Sequence, residues 1–143
     1  MYGVDPSKKI LETASKLCPQ AVLAEGTVDT FHFDGIQFDK LVCNSVLFYL
    51  DSLEQVEKVL EKFCHETSAN ARIYIGDIPM VIDGLDKNYR RKTKSAGLEV
   101  QHFPVDFFED FCKKNNCIGT YIKQEIPGKE SAAYRYDYLI TKK

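Results

Sequence analysis

Glycine is sparse in this chain, and its spacing excludes a common kind of ligand-binding loop. The eight glycines stand at positions 3, 26, 35, 76, 84, 97, 119 and 128, and no two of them form even a G-x-G. Sheets that bind a nucleoside usually carry a glycine-rich turn, in which backbone N–H groups and a helix N-terminus meet the ligand. The printed sequence contains no turn of that kind.

Long apolar runs are also missing. No segment approaches the roughly 20 consecutive apolar residues of a membrane-spanning helix. The first residues lack the basic and then apolar layout of a signal peptide. We therefore expect a cytoplasmic protein with no membrane partner.

Strong charge and metal-ligand spacing are absent as well. The formal net charge is -2, which gives no general attraction for polyanions, so we expect no specific nucleic-acid partner. The five cysteines form no CxxC pair, which argues against a disulfide framework or a zinc site. The three histidines also lack metal-ligand spacing, and no metal is expected.

What the chain does contain is an alternation of short apolar runs with amphipathic helical stretches. This alternation is typical of β-α units and a mainly parallel sheet, and 143 residues suffice for a single domain. Strands are predicted near residues 2–4, 21–25, 38–46 and 71–78. Helices are predicted to be capped by Asp5, with Pro6 at the first position, and by Asp51, and to begin at Asp106. The 38–46 run is predicted to be a central strand, covered on both faces.

The last part of the chain changes character. Two strands, near 118–126 and 134–141, follow each other without a helix between them. A connection too short for a crossover predicts an antiparallel hairpin. Alternation in the final strand places Tyr136 and Tyr138 on one face and Asp137 on the other.

An ordered series of motifs resembles the class I S-adenosylmethionine-dependent methyltransferase family. The motifs are GVDPS at 3–7, FDKLVCNSVLFYL at 38–50, RIYIGDIP at 72–79 and YRYDYLI at 134–140. The resemblance implies an α/β, Rossmann-like three-layer sandwich, with a mainly parallel sheet and a C-terminal antiparallel hairpin. It also implies S-adenosylmethionine as cofactor, and methyl transfer to a small-molecule or glycan acceptor.

The first strand and the glycine-rich loop of that family have no counterpart here. In the family fold, that strand would lie between the strands at 2–4 and 38–46. We therefore expect residues 1–143 to form one methyltransferase-like domain that is incomplete at its N-terminus. The alternatives are a partner chain that supplies the missing unit, or a non-catalytic partner subunit or interaction module. Unpaired strand edges recruit other chains, so a homo-oligomer or a partner chain is also expected.

Asp5 is the first candidate for binding the cofactor. An apolar strand end followed by an acid is how a doubly wound sheet offers a carboxylate to the two hydroxyls of a ribose. The alternative is a helix cap, worth about 1 kcal/mol. The resemblance implies further cofactor contacts, from Ser7 near the same helix start, from Gly26, Thr27 and Val28 beside the adenine, and from Asn44 and Ser45 beside the sulfonium and methionine portion. The alternatives are a first-turn residue for Ser7, a turn residue for Gly26, and the end of a strand for Asn44 and Ser45.

Tyr49 and Asp77 are candidates for binding the acceptor, and Asp77 is a candidate general base if burial raises its pKa. The alternatives are a buried hydroxyl with a hydrogen-bond partner for Tyr49 and a strand-end cap for Asp77. Arg90 and Arg91 belong to a basic run that could grip a phosphate or a sugar carboxylate, or simply form a solvated face. Methyl transfer from a sulfonium requires alignment and exclusion of water more than a base, so no catalytic residue is assigned.

Overall fold

The structure is a computed structural model that describes residues 1–81 and 100–143. Arg90 and Arg91 lie outside the described residues. The chain divides into two compact units, Met1–Ile36 and Gln37–Lys143. Each unit has its own sheet.

The first unit is a β-α-β motif. Its elements are β1 (Tyr2–Asp5), α1 (Lys8–Leu17) and β2 (Val22–Glu25). The two strands pair in parallel, with Asp5 opposite Glu25. A parallel pair needs a crossover between its strands, and α1 provides it.

The start of α1 corrects the predicted cap. The N-cap is Ser7, whose Oγ accepts a hydrogen bond from the Ile10 N–H at 3.4 Å. Asp5 Oδ1 instead accepts from the Ser7 N–H at 2.7 Å. Because Pro6 stands between them, Asp5 is too early to reach the first helical turn. Its carboxylate stabilises the bend that leads into the helix.

The second unit is a mixed sheet with helices. Its described elements, in chain order, are β3 (Phe38–Asn44), α2 (Leu53–Glu66), β4 (Thr67–Pro79), α3 (Val105–Lys114), β5 (Cys117–Lys123) and β6 (Arg135–Lys142). The strand order is β3-β4-β6-β5. β3 pairs in parallel with β4, whereas β6 pairs antiparallel with both β4 and β5. The predicted closing hairpin is therefore confirmed.

The position of β3 differs from the prediction. It is an edge strand of its sheet rather than a central one. Val42, in the middle of the apolar run, is 71% exposed, so the strand is not covered on both faces. A continuous apolar run therefore wrongly predicted that this strand is central in its sheet.

One face of the second sheet carries the core. Ile73 lies opposite Ile140, and Ile75 lies opposite Tyr138; all four side chains are buried. The ring of Phe108, from α3, stacks on Tyr138 with centroids 5.3 Å apart. The helices α2 and α3 are also joined by an ion pair between Glu57 and Lys114, at 2.7 Å. The second face of the sheet carries both polar and apolar side chains, among them Asp137, Leu139 and the exposed Val42.

Of the two helices in this unit, α2 has a side-chain cap and α3 has none. Ser52, one residue later than the predicted Asp51, is the N-cap of α2, and its Oγ accepts from the Gln55 N–H at 3.2 Å. The Gln55 side chain in turn accepts from the N–H of Asp51, the residue before the cap, at 2.9 Å, so the two side chains satisfy two backbone donors at this helix start. α3 begins at Val105 without a side-chain cap. Within the described ranges, no helix is long and apolar enough to cross a membrane.

Candidate functional site

The carboxyl ends of β3 and β4 meet at one edge of the second sheet, because the two strands run parallel. Asn44 lies opposite Gly76 in the register. The next residues, Ser45 and Asp77, both adopt a left-handed backbone, with φ of 57° and 61°. β4 also shifts its register against β6 between Ile75 and Ile78, which marks a β-bulge. The backbone after β3 and the backbone of β4 therefore both change direction at the same level of the sheet.

Gly76 is required at this point by its neighbours. A Cβ atom there would collide with the Asn44 side-chain oxygen and would lie 2.8 Å from the Tyr74 ring. Only a residue without a side chain lets Asn44 and Tyr74 pack so closely over the backbone.

Asp77 is held by groups from three segments of the chain. Ser45 Oγ donates to Asp77 Oδ2 at 2.7 Å, and the Arg135 guanidinium lies 2.8 Å from the same oxygen. Arg135 also donates to the Asp77 carbonyl at 2.9 Å. The second carboxylate oxygen, Oδ1, is buried and has no hydrogen-bond donor within the described part of the chain. The Lys129 ammonium lies 3.9 Å from Oδ1 and forms a long ion pair with it.

Asp137 fixes the backbone that carries Asp77. Its Oδ1 accepts from the Asp77 N–H at 2.8 Å and from the Gln124 amide at 2.7 Å. Its Oδ2 accepts from the Tyr74 hydroxyl at 2.7 Å. We call the polar residues at this edge the strand-end cluster; they are Asn44, Ser45, Tyr74, Asp77, Gln124, Arg135 and Asp137.

The pKa of Tyr74 reports on this environment. Burial raises it from an ordinary value of 10.0 to about 12, and the hydrogen bond to Asp137 acts in the same direction. Burial also raises the pKa of Tyr138, in the core, to about 12. Both phenols are therefore held in their neutral form.

We expect some of the tyrosines to ionise only at high pH, and their ionisation to be coupled to unfolding of the protein. The pKa of these two tyrosines is higher in the native state than in the unfolded state. Their contribution to the stability of the native state is therefore complete below pH 10 and is lost as the pH rises towards 12. An alkaline titration followed by tyrosinate absorbance should show a late phase, and far-ultraviolet circular dichroism should show loss of structure in the same pH window. Tyr74→Phe should reduce the late amplitude. Titration of all eight tyrosines in one early step would contradict this expectation.

Tyr49 lies beside the strand-end cluster rather than in it. Its side chain is 55% exposed, in a short helical turn that follows β3. Its ring packs against Phe48 with centroids 4.5 Å apart, and the Arg135 guanidinium lies 5.2 Å from the centre of the Phe48 ring. The structure therefore brings Asn44, Ser45 and Asp77 together, whereas Tyr49 packs on Phe48, whose ring faces Arg135.

The remaining predicted residues lie in the first unit, at the carboxyl edge of β1 and β2. The Gly26 N–H donates to the Asp5 carbonyl at 3.3 Å, and the Ser7 N–H donates to the Asp5 side chain. Thr27 is exposed, and its hydroxyl is hydrogen-bonded to that of Thr30 at 2.7 Å. Val28 is half-buried. Asp5, Ser7 and Gly26 thus form one local group.

Sequence reasoning missed Tyr74, Gln124, Arg135 and Asp137 as members of the strand-end cluster. Alternation along the last strand already separated Asp137 from the core face. Its contact with Asp77, however, depends on which residues of β4 and β6 lie opposite each other. The sequence does not reveal that register.

Comparison with known proteins places the fold. The model of a family described as "Methyltransferase domain" matches residues 1–73. A possible histamine N-methyltransferase from Thermotoga maritima is similar in structure, with a TM-score of 0.72 at 15% identity, covering 99% of this chain and 72% of that one. The amino pentose methyltransferase CalS10 from Micromonospora echinaspora, solved with S-adenosylmethionine, gives 0.67 at 11% identity, over 99% and 73%.

A further neighbour is the N-methyltransferase NodS from Bradyrhizobium japonicum, solved with S-adenosylhomocysteine. Its TM-score is 0.69 at 11% identity, over 99% of this chain and 65% of that one. Among curated proteins, none matches this chain. The structural likenesses establish the α/β, Rossmann-like fold, and the resemblance drawn from the motifs is confirmed. Because the family model matches just over half of its 143 residues, the chain belongs to the methyltransferase domain family.

Proposed function

We propose that this chain is an S-adenosylmethionine-dependent methyltransferase domain that acts on a small-molecule or glycan acceptor. The observation that carries the proposal is the family match over residues 1–73. That segment contains every residue for which the sequence suggests a cofactor role, from Asp5 to Ser45. Two structural neighbours solved with the cofactor or its demethylated product support the same assignment.

We propose roles in cofactor binding for the residues that the sequence singled out. In this proposal Asp5 accepts hydrogen bonds from the ribose hydroxyls, beside the Ser7 N–H that already engages one of its oxygens. The 26–28 segment lines the adenine, and Asn44 and Ser45 approach the methionine portion. The carboxylate of that portion finds no glycine-rich turn in this sequence to receive it.

When bound, the cofactor supplies a methyl group on a positively charged sulfur, which is already activated for displacement. The chain's own task is then to align the acceptor and to exclude water. We propose that Asp77 orients the acceptor, because its Oδ1 accepts no hydrogen bond from any described donor. Ser45 and Arg135 hold the other oxygen and fix the direction of the carboxylate.

We further propose that the acceptor carries an amine. Of the three structural neighbours, one is described as a possible histamine N-methyltransferase, one as an amino pentose methyltransferase and one as an N-methyltransferase. A neutral amine can donate a hydrogen bond to Asp77 Oδ1 while its lone pair faces the methyl group. The Lys129 ammonium, 3.9 Å away, would compete with an acceptor that arrives protonated.

Replacing Asp5 should weaken cofactor binding by about 10–100-fold, which corresponds to the loss of charge-assisted hydrogen bonds. Isothermal titration of the wild-type chain and of Asp5→Ala with S-adenosylmethionine measures this change. Asp5→Asn keeps an oxygen for the Ser7 N–H but loses the charge, so it separates cofactor binding from the local bend. Glu12→Ala, an exposed acid on α1, is the matched control and should bind like the wild type. Equal affinity of Asp5→Ala and wild type would contradict the role of Asp5.

The absence of a G-x-G favours a second candidate, a non-catalytic subunit with the same fold. The two candidates differ in the same titration. A folded chain that gives no heat with either S-adenosylmethionine or its demethylated product would support the non-catalytic candidate.

A further inference from the structure

A cavity of about 470 Å³ lies at the opposite end of the second sheet from the strand-end cluster. Its lining comes from the end of α2, the start of β5 and the end of β6. The lining residues are Glu61, Cys64, His65, Asn115, Asn116, Cys117, Lys142 and Lys143. Two of them are cysteines, and none of them belongs to the site described above.

The fold brings these two thiols together from distant parts of the chain. Cys64 lies in the last turns of α2, and Cys117 is the first residue of β5. Lys142 pairs with Cys117 in the β5–β6 ladder, and its ammonium donates to the Cys64 carbonyl at 2.7 Å. Cys64 and Cys117 line the same cavity, and Cys117 contributes to the raised pKa of Cys64. Cys117 Sγ also lies 3.4 Å from the Asn115 carbonyl, at the rim of the cavity.

We propose that Cys64 and Cys117 are a redox modification site, at which a hydroperoxide converts two adjacent thiols into an intramolecular disulfide. Both are free thiols in the structure. The cavity gives a small oxidant access to them. The proposal is independent of methyl transfer, because neither cysteine lies near the strand-end cluster.

The chemistry needs only the two thiols and the hydroperoxide. With hydrogen peroxide, the Cys117 sulfur attacks one oxygen, so that an S–O bond forms, the O–O bond breaks and hydroxide leaves to become water with the thiol proton. The Cys64 sulfur then attacks the sulfenic sulfur. An S–S bond forms, the S–O bond breaks, and hydroxide leaves with the Cys64 proton as a second water. Two thiols lose two electrons in total, and the peroxide gains them.

The surroundings of the thiols set the order of attack. Burial raises the pKa of Cys64 to about 11, and the neighbouring Cys117 and Glu61 act in the same direction, against the Lys142 ammonium. A thiol that stays protonated is a poor first nucleophile, so we assign Cys64 to the second step, in which it attacks the sulfenic acid on Cys117 by proximity. Cys112 is 3% exposed, and burial raises its pKa to about 12, so it is protected from the oxidant.

The test is oxidation of the folded chain with hydrogen peroxide, followed by thiol titration in denaturant and peptide mapping by mass spectrometry. Of the five thiols, two should disappear, and dithiothreitol should restore them. The digest should contain one linked pair, joining Cys64 to Cys117. Dominant links between other cysteines, links between two chains, or retention of all five thiols would overturn the proposal.

Single substitutions sharpen the result. Cys117→Ser and Cys64→Ser should each abolish the linked peptide. Cys64→Ser should in addition leave a sulfenic acid at Cys117, which dimedone labels. Cys18→Ser, in the first unit, is the matched control and should leave the linked peptide unchanged. A sulfenic acid that instead accumulates at Cys64 in Cys117→Ser, with none at Cys117 in Cys64→Ser, would contradict the assigned order.

Discussion

Replacing Phe108 by alanine should lower the free energy of unfolding by about 3–5 kcal/mol. The side chain is 0% exposed, and its ring stacks on Tyr138 at 5.3 Å and meets the edge of Tyr136 at 6.2 Å. Truncation removes these contacts and leaves a cavity between α3 and β6 that the rigid strand cannot close. We expect this change to be among the most damaging single substitutions in the second unit.

Urea unfolding followed by circular dichroism measures the loss, provided that the dependence on denaturant stays the same. Phe107→Ala is a matched control, because Phe107 is the neighbouring residue on the same helix but is only half-buried. Its loss should be clearly smaller. Equal losses for the two variants would show that the stack on Tyr138 contributes little.

Replacing Asp137 by alanine should cost about 3 kcal/mol, because hydrogen bonds to a charged group contribute about 1.5–3 kcal/mol each and water recovers part of the loss. Three donors lose their acceptor at once: the Tyr74 hydroxyl, the Asp77 N–H and the Gln124 amide. The same unfolding measurement applies. Asp137→Asn keeps an oxygen towards two of the donors, so it should retain most of the stability.

Asp39→Ala removes an exposed carboxylate from β3 and controls for the general effect of charge. It should leave stability within about 0.5 kcal/mol of the wild type. If Asp137→Ala were equally harmless, the three hydrogen bonds would not be holding the bulge. The left-handed backbone of Asp77, with φ of 61°, would then have to be stabilised by other contacts.

The elements that follow from local rules could be predicted from the sequence. Helical periodicity located α1, α2 and α3. The short connection between the last two strands indicated the antiparallel hairpin of β5 and β6, which the pairing confirms. Errors at these elements were small, such as caps at Ser7 and Ser52 instead of Asp5 and Asp51. Two polar residues close together can each serve as a cap, and side-chain geometry decides between them.

Features that depend on strand register could not be predicted. The edge position of β3 follows from the order of strands, which a single apolar run does not encode. Asp77 was selected because it ends a strand, but its link to Asp137 spans 60 positions in the chain. The roles proposed for Asp5, Asn44 and Tyr49 in binding stay predictions, and the titration of Asp5→Ala tests the first of them.

The place of β6 in the sheet has a consequence for biosynthesis. β6 lies between β4 and β5, although it follows both of them along the chain. While the ribosome is still producing the loop before it, neither of those two strands has its later neighbour, and their backbone groups stay bonded to water. The four-stranded sheet can therefore close only after translation has passed residue 142.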